Sequence, residues 1–324
     1  MIRVQLFRGH RMPLLPAPAA RAFRAIPPPL RAVIFMLLSG LCVTGMNATV
    51  KGLAHDMHPF VIAFFRHAIG VCLMTPMFVG LNVNPLRTRR IGLHGVRALL
   101  NVVAMLAYFV ALTLEPLATV VALSFTAPLF AVIGAMLFLR ERVSRKRLFA
   151  LAVGFAGALM ILRPWSVDVG TGALLLLFSS TIWAFALIVI KVLSRTESSL
   201  TMTLYASLLQ VPFAFAAALF FWQWPTAEQL LLLAFIAVCG TGAQLALSQA
   251  FREADATVAL PADFTKLIFA GVAGWIFFAE APEIWIWIGG TVVFAGVLLN
   301  AVFDRQDRQA AKAVARAAET PQIR

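Results

Sequence analysis

The sequence predicts an all-α membrane protein of ten transmembrane helices, arranged as two inverted five-helix repeats. Three observations carry this. Hydrophobic residues make up 61% of the chain and mean hydropathy is +0.89, against roughly 45–50% apolar content in soluble proteins. Apolar stretches long enough to cross about 30 Å of hydrocarbon as helices begin near residues 32, 59, 91, 117, 146, 171, 199, 229, 256 and 283. The second half of the chain also repeats the first. Unbroken runs of this length exclude a transmembrane barrel, whose strands alternate over about ten residues.

Taken in order, residues 1–29 are rich in Arg and Pro (RAFRAIPPPLR) with no apolar core before Leu30. That is unlike a cleavable secretory signal, and an extended cytoplasmic tail is expected. Residues 30–163 hold helices 1–5 and residues 170–303 hold helices 6–10. Residues 304–324 alternate charges with Ala, so a cytoplasmic C-terminal tail with a short helix at the inner surface is expected. The connections are too short to hold an extramembrane catalytic domain.

The duplication is explicit. EPLATVVALSFTAPLFAVIGAMLFLRERVSRKRLFALAVGFAGALMIL at 115–162 aligns with EADATVALPADFTKLIFAGVAGWIFFAEAPEIWIWIGGTVVFAGVLLN at 253–300. Glu115, Ala118, Thr119 and Val120 match Glu253, Ala256, Thr257 and Val258. After a one-residue slip, Phe125, Thr126, Phe130, Phe138 and Glu141 match Phe264, Thr265, Phe269, Phe277 and Glu280. Ser39 and Lys51 match Ser179 and Lys191. Five helices per repeat is an odd number, so the second copy must enter the bilayer in the opposite sense.

Charge sets the orientation. With the N-terminus inside, inner loops carry Arg87, Arg89, Arg90, Arg140, Arg142, Arg145, Lys146, Arg147, Lys191, Arg195 and Arg252, whereas outer loops carry only Lys51 and Arg163. The net charge of +13 is thus a positive-inside signature. A nucleic-acid binder would gather those charges on one soluble face.

Buried charge marks the candidate site. Asp263 lies well inside a span, where a carboxylate costs a few kcal/mol unless paired or hydrated. Lys266, three residues on, shares its helix face. The two form either a self-neutralised pair or part of a solute pathway. Arg66 is the second buried charge; it either holds an anionic group of a solute or pairs with Asp263 across the bundle. His67 beside it is read as a packed histidine rather than a proton shuttle. Pro128 and Pro261 each remove a backbone donor at membrane depth and are hinge candidates. Asn47, Asn101, Tyr108, Trp183, Gln210, Gln244 and Gln249 put hydrogen-bonding groups in or near spans, as interhelical bonds or solute contacts. Phe125 and Phe264 join the candidates because the repeat pairs them. Cys42, Cys72 and Cys239 each sit alone in a span and read as packing residues.

Other function classes lack their parts. No GxxxxGK[ST] loop is present for ATP, and no HExxH, GxSxG or paired intramembrane Asp for hydrolysis. No metal or cofactor is expected. Internal repeats in an apolar chain point instead to a secondary transporter, rocking about a site at the bilayer midplane.

The stretches PLATVVALSFTAPLF (116–130), LRER (139–142) and GFAGALMIL (154–162), repeated after about 139 residues, resemble the EamA repeat of the drug/metabolite transporter superfamily. The resemblance spans residues 32–303. It implies ten helices, both termini inside and a central cavity lined mainly by helices 1–4 and 6–9. Glu141 and Glu280 match the recurring Glu at the ends of helices 4 and 9, and here they read as helix-end anchors. Within the family, PADFTKLIFAGVAGWIFFAE (261–280) is most similar to riboflavin or S-adenosylmethionine transporters. The expected function is therefore non-ATP transport of a small polar metabolite in a bacterial inner membrane. An amino-acid or drug exporter of the same superfamily is the alternative, and a non-transporting scaffold or sensor is the reading from another class. The expected partners are a small-molecule substrate and the lipid bilayer, not nucleic acid; a homodimer is an open assembly.

Overall fold

The structure, a computed structural model, describes residues 26–79, 88–138, 144–164, 169–193, 196–197, 199–253 and 262–319. Among them the chain is helical, with no strand: α1 (Pro28–Leu53), α2 (Pro59–Val79), α3 (Ile91–Leu114), α4 (Leu117–Ser124), α5 (Ala127–Phe138), α6 (Arg145–Leu162), α7 (Thr171–Leu193), α8 (Ser199–Ala218) with a 3-10 turn (Leu219–Phe221), α9 (Ala227–Glu253), α10 (Thr265–Phe278) and α11 (Ile284–Glu319). Among the described residues, seven helical stretches are long and apolar enough to cross a membrane, one of them α4 and α5 taken together, with mean hydropathy from 1.8 to 2.5. Pro59–Thr75 and Thr265–Phe278 are shorter apolar helices. The first turn of α6 carries Arg145, Lys146 and Arg147. Large side chains cover the outside: Phe220 is 84% exposed, Leu231 73% and Phe277 71%. Exposed apolar surface of that kind fits a lipid-facing exterior.

Packing follows the duplication. α1 lies on α9, and its repeat counterpart α7 lies on α3. α2 meets α8 and α6 meets α11, each helix against its own counterpart, and α4 meets α10. One hydrogen bond is repeated across this symmetry. Ser39 Oγ donates to the carbonyl of Ala243 at 3.0 Å, and Ser179 Oγ donates to that of Ala104 at 2.6 Å. Both hydroxyls are buried, where an unmade bond would cost about 1–3 kcal/mol. Between α6 and α11 the backbones touch: a Cβ on Gly157 would sit 2.7 Å from the carbonyl oxygen of Gly289. Only glycine permits that approach.

The apolar stretch Leu117–Phe138 is broken. α4 ends at Ser124, Phe125 and Thr126 turn, and α5 begins at Ala127. Thr126 Oγ1 caps the break on the carbonyl of Leu123 at 2.6 Å, and Thr265 Oγ1 repeats this on Ala262 at 2.6 Å, where Phe264 turns ahead of α10. Pro128 lies in the first turn after the break, where a missing N–H is tolerated. Its counterpart Leu267 uses its N–H to bond the Phe264 carbonyl at 3.0 Å. Pro261 and Glu141 lie outside the described residues.

The C-terminal segment departs from expectation. Instead of a separate surface helix at 304–324, α11 runs from the last span to Glu319. Residues 297–319 contain no Gly or Pro and are rich in Ala, so nothing stops the helix. Arg147 ties it to α6, with Nη1 3.1 Å from Asp304 and Nε donating to Asn300 Oδ1 at 3.2 Å.

Candidate functional site

Arg66 lies midway along α2, turned toward α1, α3 and α9. Its Nε donates to Met46 Sδ at 3.4 Å, and its Nη1 donates to Met105 Sδ at 3.1 Å. Gly240 on α9 leaves room for the head: a Cβ there would stand 2.9 Å from Nε and 3.1 Å from Nη2. No carboxylate among the described residues pairs with it. Thioether sulfur is a weak acceptor, so this guanidinium, within the apolar bundle, keeps most of its hydrogen-bonding capacity and its whole charge unspent.

Next to Met46 on α1, Asn47 is fully buried and donates through Nδ2 to Tyr108 Oη on α3 at 2.8 Å. Its Oδ1 is buried without a partner. His67, 9% exposed, also leaves Nε2 unpartnered. Asn47, Arg66 and Tyr108, three of the residues singled out from the sequence, therefore converge on one place. Met46, Met105 and Gly240 complete it. None of these three carries a polar signal that a single sequence could reveal.

Asp263 and Lys266 do not join Arg66. They form an ion pair one turn apart, and Lys266 passes beside Gly40 of α1, where a Cβ would meet Lys266 Cγ at 3.1 Å. Gly40 stands six residues before Met46, about 9 Å lower along α1. The cross-bundle pairing of Arg66 with Asp263 is thus not made; each charge has its own surroundings. Phe125 and Phe264 stack, with centroids 6.3 Å apart, and Phe294 packs 5.8 Å and 4.8 Å from them. Trp183 is 45% exposed on α7 and makes none of the contacts that join Asn47, Tyr108 and Arg66. A cavity of 180 Å³ lies between α5 and α7, lined by Phe130, Ile133 and Phe185 among others, all of them uncharged.

Cys42 and Cys239, distant in sequence, pack near each other where α1 crosses α9.

At the other end of α1, Lys51 pairs with Glu280 and donates to the carbonyl of Glu115 at 2.7 Å. Glu280 Oε2 also accepts from the Leu117 N–H at 2.9 Å, which anchors the N-terminus of α4. Nearby, in the loop between α1 and α2, His58 stacks on Phe221 at 3.6 Å, and burial lowers its pKa. At the opposite end Arg31 pairs with Glu253 at 2.8 Å.

Comparison with known proteins agrees with this architecture. Residues 30–163 and 170–302 each match the EamA-like transporter family. The chain is 33% identical over 274 residues to a protein of Vibrio cholerae named riboflavin transporter, covering 83% of this chain and 92% of that one. It is 29% identical over 254 residues to a protein of Rickettsia prowazekii named S-adenosylmethionine uptake transporter, covering 78% and 86%. A Pseudomonas aeruginosa protein named pseudopaline exporter is 28% identical, over 81% of this chain and 92% of that one. A solved crystal structure shares the fold with a TM-score of 0.58 and 17% identity, over 85% of this chain and 98% of its own.

Proposed function

The chain belongs to the EamA-like transporter family, and from that premise we propose that it is a secondary carrier with its solute site at Arg66. It moves a small polar metabolite by alternating access, driven by a gradient rather than by ATP. One observation carries the reading: among the described residues, the Arg66 guanidinium hydrogen-bonds only to two thioether sulfurs, those of Met46 and Met105. A charge in a membrane bundle is costly, and one left without a carboxylate is best explained by a solute that supplies the missing partner.

In this reading ten helices form two inverted repeats, with both termini on the cytoplasmic side of a bacterial inner membrane. The repeated hydrogen bonds of Ser39 and Ser179, the matched breaks at Phe125 and Phe264, and the Lys/Arg asymmetry of the loops support it. The proposed solutes are riboflavin or S-adenosylmethionine, supported by the names of the relatives. Export remains a second reading, supported by the pseudopaline exporter.

The test is uptake by proteoliposomes, without ATP, of riboflavin, S-adenosylmethionine and aromatic amino acids. Saturable, protein-dependent movement of one of them is expected. No movement of any, in either direction, would leave the protein a scaffold or sensor whose centre is merely packed.

A further inference from the structure

Asn47 is a fully buried polar residue of the bundle. It is 0% exposed, its Nδ2 donates to Tyr108 Oη at 2.8 Å, and its Oδ1 has no partner among the described residues. A buried carbonyl oxygen left unbonded is costly, so the position calls for a donor from outside the chain. The same two helices hold Arg66. Met46 precedes Asn47 on α1, Met105 precedes Tyr108 by three residues on α3, and each methionine sulfur accepts from the guanidinium. The orphan acceptor and the charged donor fork are therefore tied to neighbouring positions of the same two helices.

Resting on the carrier reading, we infer that Asn47 and Arg66 together read a cyclic imide edge, an N–H flanked by a carbonyl, as found in flavin and pyrimidine-dione rings. The N–H donates to Asn47 Oδ1 and the neighbouring carbonyl oxygen accepts from Arg66. Simpler groups satisfy only half of this. A lone carboxylate answers Arg66 but is repelled by the Asn47 oxygen. A lone cation answers Asn47 but is repelled by Arg66. An amino-acid head group supplies both, with ammonium to Asn47 and carboxylate to Arg66, but it must strip two full charges of water and set one beside a guanidinium. The neutral imide meets both partners without that cost. Tyr108 then acts as the positioning residue, fixing the Asn47 amide so that its oxygen faces the solute.

The test compares riboflavin with its 3-N-methyl derivative, which lacks the imide N–H, and with S-adenosylmethionine. Binding to purified wild-type protein and Asn47→Leu is followed by flavin fluorescence, with S-adenosylmethionine as competitor, alongside uptake by proteoliposomes. Wild type should prefer riboflavin over the methylated form by roughly tenfold or more, and Asn47→Leu should bind both weakly with a ratio near one. Equal binding of the two flavins by wild type overturns the proposal, as does a ratio that survives Asn47→Leu. Where Asn47→Leu does not fold, the wild-type ratio alone decides. Binding and uptake of S-adenosylmethionine with neither flavin overturns the imide assignment while the carrier reading stands; movement of no solute sinks the carrier reading and this inference with it.

Discussion

Phe125 and Phe264 occupy the same position of the two repeats, and they stack on each other with ring centroids 6.3 Å apart and planes 26° from parallel. Each sits where its helix breaks, one residue before a threonine that caps the break on a carbonyl 2.6 Å away. The two interruptions are thus fastened together at the contact between repeats. Such discontinuous helices line the solute sites of many carriers.

The stack should be measurable as a coupling. In a double-mutant cycle, Phe125→Leu and Phe264→Leu should be non-additive by about 0.5–1.5 kcal/mol. Thermal unfolding in detergent gives the value. Strict additivity would mean that the rings are neighbours without interaction.

Lys51 and Glu280 make the second prediction. Glu280 bonds both the Lys51 ammonium and the N–H of Leu117, so Glu280→Gln should strand a largely buried ammonium and loosen the start of α4. The melting temperature should fall, and should recover in part in Lys51→Met with Glu280→Gln, because removing both partners leaves no unpaired charge. A double variant less stable than Glu280→Gln alone would contradict the pairing.

The third concerns Asp263 and Lys266, paired one turn apart. Lys266→Met should harm membrane insertion or transport more than Asp263→Asn combined with Lys266→Met. Equal losses would instead point to direct solute contact by Lys266.

How much of this was legible in the sequence differs from residue to residue. The duplication exposed Phe125 and Phe264 because identical side chains recur at a fixed offset, and hydropathy exposed Arg66 and Asp263 because charges are rare in apolar runs. Partnership was not legible. Asp263 stood as a partner for Arg66, but the structure pairs Asp263 with Lys266 and gives Arg66 two methionines, residues with no polar signature. Pro128 suggested a break in helix 4, yet the turn falls just before it, at Phe125 and Thr126, since proline fits the first turn of a new helix.

The central claim is that the unspent charge of Arg66 serves a solute, and the most direct measurement is uptake by Arg66→Gln in proteoliposomes holding the same amount of folded protein as wild type. The solute is whichever of riboflavin and S-adenosylmethionine the wild type moves. The account predicts loss of at least roughly tenfold in uptake, the equivalent of one charge-assisted hydrogen bond, with melting temperature unchanged or raised because a buried charge has been removed. Unchanged uptake in that variant would take Arg66 out of the site and contradict the account.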